Sequence, residues 1–143
     1  MNLLKNFSLI LLLFLFIFSC HETDPGKQKI ISSCNEFMED FRTGNIDEAF
    51  EKLKQVSVIE PEKIDTLAAT ADRQMKSISG SFRKFVSYSL VKEKEVSDFL
   101  IELIYILKFE NSFLKFKFIL YKTRTGWKIN QFAYNDELDE LFQ

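Results

Sequence analysis

The spacing of the apolar residues changes once along this chain, near residue 80, and that change limits the folds open to it. Before Gly80 the apolar residues recur every three or four positions, which predicts amphipathic helices. From Ser81 onward they alternate with polar residues, which predicts strands. Three helices followed by four strands indicate an α+β domain, with N-terminal helices packed on a curved, four-stranded antiparallel sheet.

The three predicted helices are delimited by residues that favour helix ends. The first covers Gln28–Thr43 and stops before Gly44, because glycine suits the left-handed position after a helix. Asn45 begins the second helix, and Glu48 stands three residues later, as in a capping box. The third begins near Pro61, since proline is tolerated in the first turn.

Four strands and a short final helix are predicted in the second half. The predicted strands are Phe82–Val91, Asp98–Phe109, Phe113–Lys122 and Trp127–Tyr134, and Asn135 caps the final helix. The charged run from Lys92 to Glu95 is interpreted as the connection between the first two strands. Gly126 fits a three-residue or a four-residue loop, so the face occupied by Trp127 stays open.

A turn centred on Asn111 and Ser112 predicts how the second and third strands pair. The expected pairs are Phe109 with Leu114, Leu107 with Phe116, Tyr105 with Phe118, and Leu103 with Leu120. All are apolar, whereas a one-residue slip would mix the apolar and polar sets. The same register sets Lys108 opposite Lys115 on the other face, a like-charged contact that the pattern does not explain.

The first twenty residues have the layout of a secretory signal peptide. Lys5 is followed by an apolar run from Phe7 to Phe18, then by Ser19 and Cys20. The run has about twelve residues, against roughly twenty for a spanning helix, which argues against an uncleaved anchor. An ordinary signal peptide with a coincidental cysteine is the other alternative, although no A-x-A-like cleavage site is present.

The end of this segment resembles the lipobox of bacterial lipoproteins, through Ile17, Ser19 and Cys20. The resemblance implies cleavage before Cys20 and attachment of lipid, including palmitate, to its sulfur and amine. Two or three acyl chains would anchor the protein stably, because one chain alone binds marginally. The expected location is the cell envelope: the outer membrane, facing the periplasm or the outside, in a Gram-negative cell, and otherwise the outer face of the plasma membrane.

The expected organisation is therefore a lipoprotein signal peptide over residues 1–19, a tether over residues 20–27, and one domain over residues 28–143. The tether contains Pro25 and Gly26 and shows no apolar periodicity, so it is expected to lack regular structure. The net charge of −2, with no basic block, argues against a nucleic-acid partner.

Residue chemistry gives little indication of an enzyme. His21 is the only histidine and lies on the tether, which argues against histidine catalysis or a histidine-rich metal site. Cys34 belongs to an apolar stripe and is predicted to be a buried, inert thiol. Glu102 is predicted to be solvated or paired with a lysine rather than a general base. The acids of residues 136–140 are expected on a solvated helix face, and no cofactor or metal is expected.

Two segments resemble the NTF2-like, cystatin-like superfamily, which includes small bacterial lipoproteins of unknown role. They are the helix corner over residues 44–49 and the Thr-Gly-Trp-Lys-Ile stretch over residues 125–129. The resemblance implies a cone formed by sheet and helices. Because the superfamily contains enzymes, ligand binders and assembly factors, it implies no single activity.

A non-enzymatic binding domain for an apolar ligand or peptide is the expected function. Tyr88, Tyr105 and Trp127 are the candidate ligand-binding residues, and the other interpretation makes them core aromatics with the polar tip at the rim. One alternative is an envelope protein–protein module that uses a sheet face or edge strand. A hydrolase or isomerase with a carboxylate inside the cone is a further alternative.

Overall fold

The computed structural model describes residues 24–78, 85–137 and 139–142. Its elements are α1 (Pro25–Arg42), α2 (Ile46–Val56), α3 (Pro61–Ile78), β1 (Phe85–Ser97), β2 (Leu100–Phe109), β3 (Phe113–Thr123), β4 (Gly126–Asn135) and a 3-10 turn, Asp139–Leu141. The strands form one antiparallel sheet in the order β1-β2-β3-β4. The predicted α+β arrangement, with the helices N-terminal to the sheet, is confirmed.

Helix α1 begins three residues earlier than predicted. Asp24 is its N-cap residue, and the carboxylate accepts hydrogen bonds from the backbone N–H groups of Gly26 and Lys27. Pro25 fits the first turn because its missing N–H has no helical partner there. The prediction of an unstructured tether is therefore wrong for residues 25–27, which belong to α1. Residues 20–23 of that tether lie outside the described residues.

The corner between α1 and α2 forms at Gly44, as predicted. Gly44 has a φ of 83°, in the left-handed region that glycine tolerates best. The predicted capping box of α2 is wrong, because Asn45 makes no side-chain cap. Its amide nitrogen instead donates to the hydroxyl of Thr43 at 3.1 Å.

The charged run from Lys92 to Glu95 lies inside β1, so its assignment as a connection is wrong. The turn is formed by the next two residues after the strand, Asp98 and Phe99. The acids of the run face the helices, where the Lys27 ammonium contacts Glu95 at 2.8 Å and Glu93 at 3.3 Å. This distant cation favours a strand where local composition favours a turn. The predicted strand's first residues, 82–84, lie outside the described part.

Strand β1 is an edge strand with three irregularities, each at a valine. The pairing with β2 skips Val86, Val91 and Val96, whose side chains are 48–56% exposed. An extra residue in one strand bends and twists it locally. Such bulges make an edge a poorer template for pairing with another chain.

Strands β2 and β3 pair two residues away from the predicted register. Leu107 lies opposite Leu114, Tyr105 opposite Phe116, Leu103 opposite Phe118, and Ile101 opposite Leu120. The predicted faces are right, because a two-residue shift keeps every side chain on its face. The shift also removes the contact between Lys108 and Lys115, since Lys115 lies opposite Ile106.

A two-residue turn at Arg124 and Thr125 joins β3 to β4 and settles the position of Trp127. Gly126 has a φ of 120° at the start of the strand. Trp127 pairs with Lys122 and lies on the same face as the buried Ile129. Both side chains therefore belong to the face that packs against the helices.

After β4 the chain forms a single 3-10 turn rather than the predicted helix. Asn135 accepts a hydrogen bond from the backbone N–H of Glu137 at 3.2 Å, so it organises a local turn. The turn contains Asp139–Leu141, and Leu138 lies outside the described residues.

Aromatic rings fill the space between the helices and the sheet. The ring of Phe37, on α1, has its centre 5.1–6.1 Å from those of Phe41, Phe50, Phe116, Phe118 and Phe132. Most of these contacts are edge-to-face, the arrangement that aromatic pairs favour. Aromatic rings from the helices and from the sheet therefore build much of the core.

Candidate functional site

Two of the three candidate ligand-binding residues lie together, inside the packed core. Tyr105 is fully buried, and its hydroxyl donates to the Asn35 side chain at 2.8 Å. Burial raises the pKa of the Tyr105 phenol above its ordinary value, and the neighbouring Tyr88 contributes to the same direction. Tyr88 is half-buried on the same face of the sheet. These two rings belong to the packing that fills the interior.

Trp127 is separate from those tyrosines, at the start of β4. Its indole N–H donates to Oδ2 of Asp24 at 2.9 Å. The ammonium of Lys122 contacts the same oxygen at 2.8 Å and lies 5.7 Å from the centre of the indole ring. The carboxylate thus joins the N-terminus of α1 to the hairpin between β3 and β4.

Asp24 remains ionised well into acid because all its partners favour the charged form. The Lys122 ammonium, then the Trp127 N–H, and lastly the two backbone N–H groups at the start of α1 hold the pKa of this carboxyl far below its usual range. In return, the same ion pair raises the pKa of Lys122. The negative charge also lies at the N-terminus of α1, where the helix dipole favours it.

A surface groove lies beside this junction. It has a volume of about 470 Å³, within the range of small-ligand sites. Its walls come from three parts of the fold, the first turns of α1, the end of α2 and the β3–β4 hairpin. The residues that line it include Lys29, Ser33, Val56, Trp127 and Lys128.

Other grooves in the described part have similar volumes. One, of about 500 Å³, has walls from the α2–α3 connection, from α3 and from β4, including Phe132. A second, of about 490 Å³, is lined by Glu62, Lys63, Thr66 and Leu67, all from the first turns of α3. Another, of about 460 Å³, lies between β1 and Leu141 of the C-terminal turn. The groove beside Trp127 is distinguished by the Asp24 junction at its edge and by the two lysines in its lining, Lys29 and Lys128. We call it the Trp127 groove.

Cations surround the Trp127 groove. Lys29 and Lys128 line it, and Arg124 lies at the tip of the adjacent turn. In the part of the chain that the structure describes, none of these three side chains has an ion-pair or hydrogen-bond partner. Lys122 is instead neutralised by Asp24. The groove therefore combines an apolar wall with three positive charges open to a ligand.

Cys34 and Glu102 lie where the sequence predicts. Cys34 is fully buried, and desolvation raises the pKa of its thiol far above the ordinary range, so it is inert. Glu102 lies on the sheet face away from the helices, 3.5 Å from the ammonium of Lys92. The predicted lysine pairing of Glu102 is confirmed.

Neither a metal-ligand cluster nor a membrane-spanning helix is found among the described residues, and two residues considered from the sequence lie outside them. No group of three or more potential metal-ligating side chains occurs within residues 24–78, 85–137 and 139–142. Over the same residues, no helix is both long and apolar enough to cross a membrane. Cys20 and His21 lie outside the described residues.

Sequence reasoning missed Asp24 and Asn35 as partners of the candidate aromatic residues. For Asp24 a signal was present, because Asp followed by Pro is typical of a helix start, with aspartate as N-cap and proline in the first turn. For Asn35 no local signal existed, since its partner Tyr105 is 70 residues away.

Comparisons with protein-family profiles, with curated proteins and with solved structures find no match to this chain.

Proposed function

We propose that this chain is a lipid-anchored, non-enzymatic binding protein of the bacterial envelope, with an NTF2-like or cystatin-like domain. The Trp127 groove is its binding site for an apolar or amphipathic ligand, or for a peptide. The observation that carries this proposal is the groove itself, whose apolar wall is built by three elements. The interior cannot serve in its place, because aromatic side chains occupy the space between helices and sheet.

The N-terminal sequence supports the anchor. The apolar run over residues 7–18 ends at Cys20, whose sulfur and amine would carry palmitate and other acyl chains. Asp24, the N-cap of α1, is four residue steps from Cys20, so at most about 14 Å separates the proposed lipid attachment from the start of α1. The proposed location is therefore the surface of an envelope membrane, with the domain close to the lipid.

The proposal contains no catalytic residue. The in-cone carboxylate alternative required an acid buried near Tyr88 or Tyr105. Among the described residues the only buried charged side chain is Lys115, and Glu102 is paired with Lys92 on the outer face. Glu93 lies near Tyr105, but its side chain is 41% exposed and its carboxylate contacts the Lys27 ammonium at 3.3 Å.

Blocking the groove tests the ligand-binding part. Ser33 lines the groove, whereas the adjacent Ser32 is exposed and does not. Native mass spectrometry of the protein purified from cell membranes should reveal a bound small molecule or peptide. Ser33→Phe should remove this species, and the matched control Ser32→Phe should retain it. A wild-type protein without bound species, or equal binding by both variants, would contradict the proposal.

A protein-docking edge is the second candidate, favoured by the exposed valines of β1. Val86, Val91 and Val96, together with Leu90, expose apolar surface along one edge of the sheet. A photo-crosslinking amino acid at Val91 should capture an envelope protein in intact cells, and the same group at Lys63 on α3 serves as the control. Equal capture from both positions, or from neither, would contradict this candidate.

A further inference from the structure

The three cations around the Trp127 groove lie at the end of the domain from which the chain leads back to Cys20. Asp24 is the N-cap residue of α1, and Lys29 follows it by about 8 Å along the helix. Lys128 and Arg124 belong to the hairpin that Trp127 connects to Asp24. Position and charge therefore coincide at one end of the domain.

The three cations near the groove are opposite in sign to the net charge of the whole chain. The full sequence has a net charge of −2, and removal of residues 1–19 takes away Lys5 without removing an acid. Near the groove, Lys122 pairs with Asp24 and also lies close to Asp98, and Lys27 pairs with Glu93 and Glu95. Lys29, Arg124 and Lys128 remain as positive charge on an otherwise acidic protein.

We propose that this end of the domain docks on an anionic phospholipid surface, with Lys29, Arg124 and Lys128 contacting the headgroup phosphates. The inference rests on the proposed anchor at Cys20, and it identifies the ligand of the Trp127 groove as anionic lipid of the same membrane. The three cations form the second attachment, beside the acyl chains.

Distances favour a membrane over a soluble anion. A link of at most about 14 Å holds the groove near the lipid surface, and attraction between lysine or arginine and anionic lipid acts within a Debye length of about 8–10 Å. The opposite end of α1 lies about 27 Å away and is beyond this range. The docked orientation thus brings the basic end, rather than the C-terminal end of α1, into the membrane's field.

Trp127 is the only tryptophan of the protein and lines the groove, so its fluorescence reports the orientation directly. The protein purified from cell membranes would be incorporated into vesicles of phosphatidylcholine alone, or with about one third phosphatidylglycerol. Both vesicle types carry a spin label on a fraction of the headgroups, which quenches nearby fluorophores. Quenching is compared at equal amounts of bound protein.

The decisive variant is Lys29→Gln with Arg124→Gln and Lys128→Gln. The control is the triple variant Arg73→Gln, Lys76→Gln and Lys108→Gln. It also loses three positive charges, but at exposed positions of α3 and β2 that do not line the groove. Each cation near an anionic surface favours docking by about fivefold, so the three together favour it on the order of a hundredfold.

Wild-type and control proteins should show strong quenching of Trp127 fluorescence in anionic vesicles and weak quenching in neutral ones. The groove variant should show weak quenching in both vesicle types. Equal quenching in the two vesicle types, or no effect of the groove variant, would overturn the inference. Inorganic phosphate, added at constant ionic strength, should not reduce the quenching. If it does, the ligand is a soluble anion and the membrane assignment is wrong.

The mass of the N-terminal peptide, measured on the same preparations, separates this inference from the proposed anchor. If the protein is acylated but the quenching does not depend on lipid charge, the docking proposal is contradicted and the proposal of a lipid anchor is supported. Charge-dependent quenching of a protein without acyl chains supports the docking and contradicts the anchor.

Discussion

The indole N–H of Trp127 donates a 2.9 Å hydrogen bond to the carboxylate of Asp24, a residue 103 positions earlier in the chain. This bond connects the N-cap residue of α1 to the hairpin between β3 and β4. It also fixes one wall of the Trp127 groove, so the stability of the fold and the shape of the candidate site depend on the same contact.

Substitutions at Asp24 should separate its capping role from its charge. Asp24→Ala removes the acceptor of Gly26 and Lys27 together with the bonds to Trp127 and Lys122, and should lower the thermal midpoint by about 2–10 °C. Asp24→Asn keeps a side-chain oxygen for the helix cap, so it should lower the thermal midpoint less than Asp24→Ala does. Both should shift the emission of Trp127, the only tryptophan. Equal midpoints for the two variants would show that the cap contributes nothing.

Acid should destabilise the fold partly through Asp24. Because Lys122 and Trp127 hold the pKa of this carboxyl below its ordinary value, the folded state favours the ionised form. Its stabilising contribution is therefore complete above a pH of about 4 and is lost as the pH falls toward the depressed pKa. Urea unfolding between pH 5 and about 2 should show a shallower decline for Asp24→Asn than for the wild type. Parallel declines would contradict the assignment.

Phe37 should be the most sensitive position of the aromatic core. It contacts five other rings and is 1% exposed, so Phe37→Ala should lower the free energy of unfolding by about 3–5 kcal/mol. Phe142 is 83% exposed, and Phe142→Ala should change it by less than about 0.5 kcal/mol. The measurement is urea denaturation followed by circular dichroism. A small effect at Phe37 would mean that the rings are not packed as described.

The hydroxyl of Tyr105 should contribute through its bond to Asn35. Tyr105→Phe leaves the ring and removes the donor, so the free energy of unfolding should fall by about 0.5–1.5 kcal/mol. Tyr121→Phe is the matched control on an exposed side chain. If both variants unfold like the wild type, the hydrogen bond between Tyr105 and Asn35 contributes nothing to the free energy of unfolding.

Alkaline conditions give a second test of Tyr105. Burial raises its pKa, so the folded state favours the neutral phenol. The contribution is full below the ordinary tyrosine pKa of about 10 and is lost as the pH rises above it. Wild-type protein should therefore lose stability more steeply above pH 10 than Tyr105→Phe. The same slope for both proteins would place the phenol in contact with solvent.

Apolar spacing alone predicted the faces of the sheet but not its register. The strand period is two, so a one-residue slip between β2 and β3 is excluded, while a two-residue slip preserves both faces. The choice is made by the loop, where the N–H of Phe109 donates to the carbonyl of Ser112 at 2.9 Å. The unexplained contact between Lys108 and Lys115 was the sign that the predicted register was wrong.

Long-range contacts account for the other errors. The Lys92–Glu95 run has the composition of a turn, and the position of Lys27 on α1, distant in sequence, stabilises the two glutamates in a strand. The Trp127 groove could not be predicted either, because its walls come from segments separated by up to about a hundred residues. The candidate tyrosines were recognisable as aromatic, yet nothing local distinguished core packing from a binding surface.

The central claim is that the domain is fixed to a membrane through Cys20, and the mass of the mature N-terminal peptide tests it most directly. Peptide mass spectrometry of the protein purified from bacterial membranes should find a chain that begins at Cys20 and carries two or three acyl chains. Cys20→Ser should abolish this species and release the protein from the membrane fraction. An N-terminal peptide that begins elsewhere, or a Cys20 without lipid, would contradict the account.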